Sequence, residues 1–241
     1  AISMTTAYSG DGITFPDNTV QATAPRVGMV NRIINGDMRI DQRNAGASVT
    51  PTASAYTLDR FVFLLSQASK FSVQQNAGAV TAPVGFEKYL GATSLSAYSV
   101  LTADLFVIAQ RIEGYNISDL AWGTANAKTV TVSFWVRSSL TGTFGGALRN
   151  DAANRSYPFS YTISSANTWE QKSVTIAGDT TGTWRTDGGT GINLYFGLGV
   201  GATYSGTAGA WSANNLLSAT GATSVVGTSG ATFYVTGVQL E

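Results

Sequence analysis

The sequence predicts an all-β protein: an antiparallel β-sandwich of jelly-roll type, preceded by a short N-terminal arm. Helical periodicity is nearly missing, while apolar and polar residues alternate with period two in about nine runs. Stretches rich in Gly, Asn, Ser and Thr separate these runs. Because no strand-helix alternation is recognisable and loop length varies widely, a two-sheet jelly roll is expected rather than a parallel sheet or a meander.

The first 30 residues differ from the rest in their content of apolar residues. Only Ile13, Phe15 and Val20 are suited to burial there, which is too little apolar surface to fold alone. We therefore interpret residues 1–30 as a hairpin or extended arm leading from an upstream shaft, and residues 31–241 as the sandwich domain. The chain lacks an initiator methionine and stops directly after a strand-like run, so we expect a piece of a longer polypeptide.

The stretch NRIINGDMRIDQRNAG, residues 31–46, is predicted to form the first strand. Gly36 would form a bulge that bends the strand, with Asp37 accepting hydrogen bonds from local amides. The catalytic alternative pairs Asp37 with Asp41, but two acids on one strand are far from the geometry of a glycosidase pair. The structural interpretation is the stronger one.

The clearest strand is TVTVSFWVR, residues 129–137. Its apolar residues share one face, and Thr131, Ser133, Trp135 and Arg137 share the other. Further strands are expected in LDRFVFLLS, KFSVQQN, DLFVIAQRIE, FSYTIS, QKSVTIAG, INLYFGLGV and ATFYVTGVQLE. A helix is expected at most as a single turn, in IEGYNISDLA at residues 112–121.

The amino-acid composition argues against most catalytic mechanisms and against thiolate metal sites. Histidine and cysteine are both absent, which removes the commonest general base, the thiol nucleophile and thiolate metal sites. The 14 acids are scattered, and the closest pairs, Asp37/Asp41 and Asp179/Asp187, have explanations as turn residues. The sequence therefore predicts no enzyme and no cofactor.

Charge and hydropathy also exclude two classes of binding partner. Lys and Arg total 14 against 14 Asp and Glu, and charged residues make up only 12% of the chain, about half the usual share. Such a surface has no net positive electrostatic field to attract the phosphates of a nucleic acid, so nucleic acid is not an expected partner. No apolar run is long enough to span a bilayer, so no membrane insertion is expected.

Several segments, in this order, resemble one family. They are GITFPDNTVQATA, NRIINGDMRIDQRNAG, YTLDRF, SFWVRSS followed by GTF, NTWEQKSVTIAGDTTGTW and the terminal TGVQLE. Together they are similar to bacteriophage tail-fibre and virion-appendage proteins that carry a carbohydrate-binding-module-like jelly-roll domain. Each motif alone is weak, while their order and spacing over residues 10–241 make the resemblance fairly specific.

The resemblance implies a homotrimeric, non-enzymatic module of the virion, located in a tail fibre or another surface appendage. It would bind a host cell-surface glycan or contact other virion proteins. Related sugar-binding jelly rolls hold a structural calcium between the first and last strands, which would nominate Asp37 or Glu241 here. So few oxygen ligands are visible in the sequence that the metal stays an open question.

Aromatic residues are the candidate glycan contacts, because sugar rings stack on Trp and Tyr while their hydroxyls bond polar side chains. Trp135 with Arg137 beside it, Trp184 and Trp211 in loop-like sequence, and the weaker candidate Tyr204 form this set. For Trp135, packing under a loop or in a trimer interface is the favoured alternative. Trp184 and Trp211 could equally be tucked against the sandwich rim. Trp169 is expected in the core.

Two functions stay open at this stage. The first is host attachment by multivalent glycan binding, in which weak contacts are multiplied by the copies of an oligomer. The alternative is a structural adaptor that joins virion proteins without recognising a ligand. The N-terminal arm buries little apolar surface by itself. Under either function it is therefore consistent with an arm that becomes ordered by pairing with copies of itself around a symmetry axis.

Overall fold

A computed structural model describes residues 31–241 in full and, within residues 1–30, only the backbone of three short strands. The chain divides into two units, residues 1–30 and residues 31–241. In the first unit, β1 (Ala7–Ser9), β2 (Gly12–Thr14) and β3 (Val20–Gln21) form an antiparallel sheet in chain order.

The second unit is a sandwich of two antiparallel sheets, which confirms the predicted fold class. The six strands of one sheet are β4 (Ala55–Leu58), β5 (Phe61–Leu65), β8 (Leu105–Glu113), β10 (Gly142–Asn150), β11 (Ser156–Ile163) and β13 (Thr190–Val200). The five strands of the other are β6 (Phe71–Gln75), β7 (Leu90–Ser94), β9 (Val130–Ser138), β12 (Glu170–Ile176) and β16 (Thr232–Leu240). The strand orders are β11-β10-β13-β8-β5-β4 and β12-β9-β16-β7-β6.

The core lies between the two sheets and follows from period-two alternation. In β9, Val130, Val132, Phe134 and Val136 are at most 1% exposed, while the residues between them are half-buried. Phe134 packs edge-to-face against Phe196 of β13 with ring centroids 4.9 Å apart, so the two sheets interdigitate through aromatic rings. The faces predicted for this strand are confirmed.

Short 3-10 helices connect the strands. They are Ala77–Ala79, Gly114–Asn116, Ser118–Leu120 and Ala202–Tyr204. Two of them fall inside the stretch where a single helical turn was expected. Arg32 fixes this turn, because its guanidinium donates two hydrogen bonds of 2.7 Å to the carboxylate of Asp119. No helix in the described part of the chain is long and apolar enough to cross a membrane.

Residues 31–46 form turns rather than the predicted first strand, and this prediction is wrong. Asn35, Met38 and Ala45 have positive φ angles of 59°, 60° and 49°, which a β-strand does not allow. The segment is held by contacts from elsewhere in the chain, since Met38 is fully buried and the Val238 amide donates to the Gly36 carbonyl at 2.9 Å.

Gly36 and Asp37 also act differently from the expectation. A Cβ on Gly36 would lie 2.1 Å from the Val238 carbonyl oxygen, so glycine is required for close approach and not for a bulge. Asp37 forms an ion pair with Arg39 at 2.9 Å. The local amides are bound by Asp41 instead, whose carboxylate accepts from the amides of Asn44 and Gly46.

Three strands of the two sheets were not predicted: β4 in AYTL, β7 in LGATS and β10 in GTFGGALRN. β7 and β10 contain glycines at positions where a neighbouring group packs directly on the sheet. A Cβ on Gly146 would lie 2.5 Å from the Phe159 ring, and one on Gly91 would lie 2.8 Å from the Tyr234 ring. Glycine has a low β-strand propensity, so these residues make the strands hard to predict from the sequence. The structure requires glycine there because a Cβ would collide with the large rings.

Candidate binding cleft

Three tryptophans form one packed cluster. Trp122, Trp184 and Trp211 contact one another edge-to-face, with ring centroids 4.7 to 5.4 Å apart. Trp184 is 7% exposed, and its indole N–H donates to Asp179 at 3.3 Å and to the Thr181 carbonyl at 3.2 Å. A buried ring cannot stack on a saccharide, so the expectation that Trp184 is a glycan contact is corrected: it belongs to the core.

Trp211 is the outer member of the same cluster. Its ring also packs edge-to-face against Tyr157 at 5.3 Å, and its indole N–H donates to the Ala177 carbonyl at 2.8 Å. The Arg155 guanidinium lies 6.0 Å from the ring centroid. These contacts tie Trp211 to three neighbouring segments, which is the rim-packing alternative considered for this residue.

Trp135 and Arg137 lie on the outer face of the five-stranded sheet. Trp135 is half-buried and pairs with Gln171 and Thr236 on the adjacent strands. Arg137 donates to the Asn167 carbonyl at 2.9 Å and lies over the Tyr234 ring at 5.6 Å. Trp169, expected in the main core, instead packs on Tyr89 in a small separate cluster on this sheet, with its indole N–H bonded to the Thr81 carbonyl.

The candidate site is a cleft on the outer face of the other, six-stranded sheet. A main cleft of about 340 Å³ adjoins a smaller one of about 230 Å³, and Arg111 and Thr190 line both. Tyr204 is the one member of the sequence-predicted set that lies here. The main cleft is lined by Leu64, Leu105, Arg111, Arg149, Asp151, Thr190, Asn193, Tyr195, Tyr204, Asn215 and Leu217.

A row of three polar residues crosses the cleft. Asn193 of β13 is paired with Arg111 of β8 on one side and with Arg149 of β10 on the other. All three point outward, because the residues flanking Asn193, Ile192 and Leu194, belong to the core. Asn193 is 4% exposed, and its carboxamide makes no hydrogen bond within residues 31–241. The amide lines the cleft, so its donor and acceptor are available to a bound ligand.

Tyr195 forms the floor beside this row. It is paired with Ala109 and Ala147, and these small neighbours leave room above the sheet. Burial raises the pKa of Tyr195 to about 12, although the nearby guanidiniums of Arg149 and Arg111 act in the opposite direction. Its hydroxyl has no hydrogen-bond partner among residues 31–241, and the ring lies 5.1 Å from the Arg149 guanidinium.

One wall of the cleft is a loop folded onto the sheet. Strands β14 (Ser205–Gly206) and β15 (Ser218–Ala219) pair in parallel at its base. A Cβ on Gly145 or Gly197 would lie 2.3 or 2.7 Å from the Ser218 hydroxyl, so glycine at these outward positions lets the loop rest on the strands. The loop presents Tyr204 and Leu217 to the cleft and joins them through a 2.8 Å backbone hydrogen bond.

Arg149 connects this loop to the sheet. Its guanidinium donates to Asn215 Oδ1 at 2.7 Å, while its Nε is buried and has no partner among residues 31–241. Arg149 takes part in no ion pair in this range. The guanidinium therefore keeps hydrogen-bonding capacity and an uncompensated charge at the cleft.

The smaller cleft adds exposed aromatic rings. Tyr56 lines it and is 38% exposed, with the Arg43 guanidinium 5.1 Å from the ring centroid. Tyr115 is 70% exposed, and its ring lies 3.6 Å from a Cβ built on Gly188, another lining residue. Tyrosines that are exposed on one side are suited to stacking on the apolar face of a sugar ring.

The acids bordering the clefts are already paired with arginines. Glu113 lies 2.7 Å from Arg60, and Asp151 lies 3.2 Å from Arg185. The Arg185 guanidinium also donates hydrogen bonds to Asp187, and so does the Gly189 amide. These hydrogen bonds lower the pKa of Asp187 to about 2. The Asp179/Asp187 pair of the sequence thus consists of two separate arginine-bound carboxylates.

The nominated calcium ligands do not meet in a cluster. Asp37 is bound to Arg39, and the Glu241 backbone pairs with that of Thr131 in two hydrogen bonds. Within residues described by the structure, no group of three or more acidic side chains could hold a metal ion.

Sequence reasoning missed the row Arg111, Asn193 and Arg149, although two of its three strands were predicted. A signal was present in DLFVIAQRIE and INLYFGLGV, since the outward positions of these strands carry Arg111, Asn193 and Tyr195 among apolar residues. The face opposite the core was assigned only for residues 129–137. The third strand, which carries Arg149, was not predicted.

No family model matches the sequence, and no curated protein matches it. Among solved structures, the enzymatically active domain of bacteriophage CBA120 tailspike protein 4 matches at 10% identity with a TM-score of 0.43, over 88% of this chain and 21% of that one. TmCBM61 in complex with beta-1,4-galactotriose matches at 10% identity with a TM-score of 0.42, over 88% of this chain and 97% of that one.

A third similar structure is the family 11 carbohydrate-binding module from Clostridium thermocellum in complex with a beta-1,3-1,4-mixed-linked tetrasaccharide. It is 11% identical with a TM-score of 0.38, and the match covers 78% of this chain and 94% of that one. Likenesses of this size transfer no binding residue and no ligand to this chain.

Proposed function

We propose that the cleft on the six-stranded sheet binds a saccharide, and that the chain is a glycan-attachment domain of a phage virion appendage. The observation that carries the first part is the amide of Asn193, which lines the centre of the cleft and has no hydrogen-bond partner within residues 31–241. Its donor and acceptor are therefore available to a ligand in the cleft.

The surroundings of Asn193 suit a sugar better than a purely apolar ligand. Hydrogen-bonding groups of Arg111, Arg149 and Tyr195 converge on the cleft, and Tyr56 and Tyr204 offer ring surface at its margins. Saccharides need this combination, because each ring has an apolar C–H face and a border of hydroxyls. Open clefts of a few hundred Å³ hold only a few sugar units, so we expect weak binding at each cleft, strengthened by several copies.

We further propose that the domain binds without catalysis. Both carboxylates at the clefts, Glu113 and Asp151, are engaged with arginines. Glycoside hydrolysis uses two carboxyl groups facing each other across the scissile bond, one of them acting as a proton donor. Each of the two cleft linings contains a single carboxylate, Asp151 in the main cleft and Glu113 in the smaller one.

The wider role is supported by the sequence resemblance to phage fibre proteins, with their arm, terminal TGVQLE and order of motifs. That resemblance is also the support for a homotrimer and for location in the virion. Sedimentation of a chain that keeps residues 1–30 tests the trimer, which is contradicted if only monomer is found at micromolar concentration.

The binding proposal is tested on a glycan array with the intact oligomer. Asn193→Leu removes the amide at similar volume, and since that amide has no partner within residues 31–241, the fold should be retained while binding weakens about tenfold or more. Gln171→Leu, on the outer face of the other sheet, is the matched control. If the wild type binds no glycan, the proposal is wrong. If Trp135→Ala abolishes binding and Asn193→Leu does not, the site belongs on the five-stranded sheet.

Adsorption to host cells and particle assembly separate attachment from the adaptor function. Virions carrying Asn193→Leu should assemble normally and adsorb poorly. Normal adsorption with defective assembly would favour the structural adaptor instead.

A further inference from the structure

We infer that the ligand of the cleft is an acidic saccharide, whose anionic substituent lies between Arg111 and Arg149 and meets the amide of Asn193. This inference rests on the proposed glycan-binding function and specifies the class of glycan. Its first support is the geometry of the row. Adjacent strands lie about 4.8 Å apart, so the two arginine Cα atoms are about 10 Å apart with Asn193 midway. Two guanidiniums can converge on one substituent from that spacing.

The second support is the charge of the cleft. The linings of the two adjoining clefts carry three arginines, at 60, 111 and 149, against two acids, Glu113 and Asp151. Glu113 is neutralised by Arg60 at 2.7 Å, and Asp151 is shared with Arg185. Neither Arg111 nor Arg149 takes part in an ion pair within residues 31–241. Counting Arg185 and its partner Asp187, four arginines face three acids, so this region carries one net positive charge and two arginines without an ion-pair partner.

The third support is unused hydrogen-bonding capacity at the same place. Within residues 31–241, the Arg111 guanidinium makes no hydrogen bond, and Arg149 makes a single one, to the neutral side chain of Asn215. The Nε of Arg149 is buried without a partner, and the Asn193 carboxamide lines the cleft without a hydrogen bond in the same range. These donors line the same cleft as Tyr195.

The chemistry of these donors selects an anion over a hydroxyl. A guanidinium presents paired N–H groups that fit the two oxygens of a carboxylate, or those of a sulfate or phosphate ester. A neutral hydroxyl carries no charge to attract the guanidiniums and does not present the paired oxygens that a guanidinium fits. The amide N–H of Asn193 can complete the contact. A sugar carboxylate, as in a uronic acid, and an ester-linked sulfate or phosphate share this chemistry.

The test measures binding of the intact oligomer to matched pairs of glycans that differ only in the anionic group. Each acidic glycan is compared with its neutralised form, for example a uronate oligosaccharide with its methyl ester, and sulfated and phosphorylated glycans are compared with the unmodified chains. We expect the bound glycans to be acidic, and their neutral forms to bind about 10- to 100-fold more weakly. The preferred pair identifies the substituent.

Variants assign the effect to the row. Arg111→Gln should weaken binding of the acidic glycan by a similar factor and binding of the neutral form much less, so that the preference for the acidic form falls. Because Arg111 is exposed, this variant is expected to fold even if Arg149→Gln, which releases Asn215, does not. Arg39→Gln, at an exposed arginine outside both clefts, is the control. Raising the salt concentration should weaken the wild type more than Arg111→Gln.

The possible failures differ. Binding of neutral glycans as tightly as acidic ones, or equal affinity of wild type and Arg111→Gln for an acidic glycan, overturns the acidic class and leaves saccharide binding intact. Binding of no glycan at all overturns the proposed function and this inference with it.

Discussion

Replacing Asp179 by Asn should destabilise the domain strongly, whereas the same change at Asp187 should not. Both carboxylates bind an arginine through two hydrogen bonds, but their surroundings differ. The side chains of Asp179 and Arg155 are 2% and 18% exposed, while those of Asp187 and Arg185 are 57% and 47% exposed. Both sites are ion pairs between an arginine and an aspartate, so a comparison of the two isolates the effect of burial.

The magnitude follows from burial. Asp179 accepts from Arg155 Nε at 2.7 Å and Nη2 at 2.6 Å, from the amide and hydroxyl of Thr181, and from the indole of Trp184. Removing one charge of a buried pair leaves the other uncompensated, which costs about 3–5 kcal/mol. For a domain of this size, each kcal/mol lowers the unfolding temperature by about 2–4 °C, so Asp179→Asn should lower it by roughly 6–20 °C.

Thermal and urea unfolding, followed by tryptophan fluorescence, provide the measurement, since three tryptophans lie at this site. Asp187→Asn should leave the midpoint unchanged within error, because exposed pairs contribute little. Equal midpoints for wild type and Asp179→Asn would refute the argument that this buried pair stabilises the loop.

The pH dependence of Asp179 has a definite sign. Burial alone raises its pKa, but hydrogen bonds from Arg155 and Thr181 outweigh burial and lower the pKa below the ordinary 3.8. The stability it contributes is thus present above pH 3.8 and is lost as pH falls through the lower folded pKa. The difference in free energy of unfolding between wild type and Asp179→Asn should shrink over that acid range. A difference that stays constant would contradict the shift.

Three further predictions concern packing and the cleft. Gly36→Ala should destabilise the domain by about 1–3 kcal/mol, because its Cβ would lie 2.1 Å from the Val238 carbonyl; Gly188→Ala, whose nearest contact is 3.6 Å, is the control in urea unfolding. Trp122→Ala should cost about 3–5 kcal/mol by the same assay, since it opens a cavity in the tryptophan cluster. Tyr195→Phe should leave stability within about 0.5 kcal/mol, because its hydroxyl has no partner in residues 31–241, yet weaken glycan binding.

The sequence was a good guide to strands whose two faces differ. In residues 129–137 the alternation of Val and Phe with polar residues gave both the strand and its buried face, and the structure confirms them. Residues 31–46 show the limit of this reasoning. Their alternation imitates a strand, but positive φ angles at Asn35 and Met38 and the contact of Gly36 with Val238 make turns.

The candidate site was less accessible, for a physical reason. Trp184 and Trp211 lie in loop-like sequence, and only packing against Trp122 decides that they stabilise the fold. Conversely, Asn193 stands in an ordinary strand pattern, and only its pairing with Arg111 and Arg149 makes it the centre of a cleft.

By itself, the sequence determined the class of structure and the chemistry at hand: strands from period-two alternation, and no histidine or cysteine for catalysis or thiolate metal sites. Those properties are local or compositional, so one chain reports them directly. The tertiary structure alone decided which rings are buried and which charges remain unpaired. Register across β8, β13 and β10 places Arg111, Asn193 and Arg149 side by side, although 82 residues of chain separate the first from the second. Strand pairing sets such distances through space, and no spacing along the sequence encodes them.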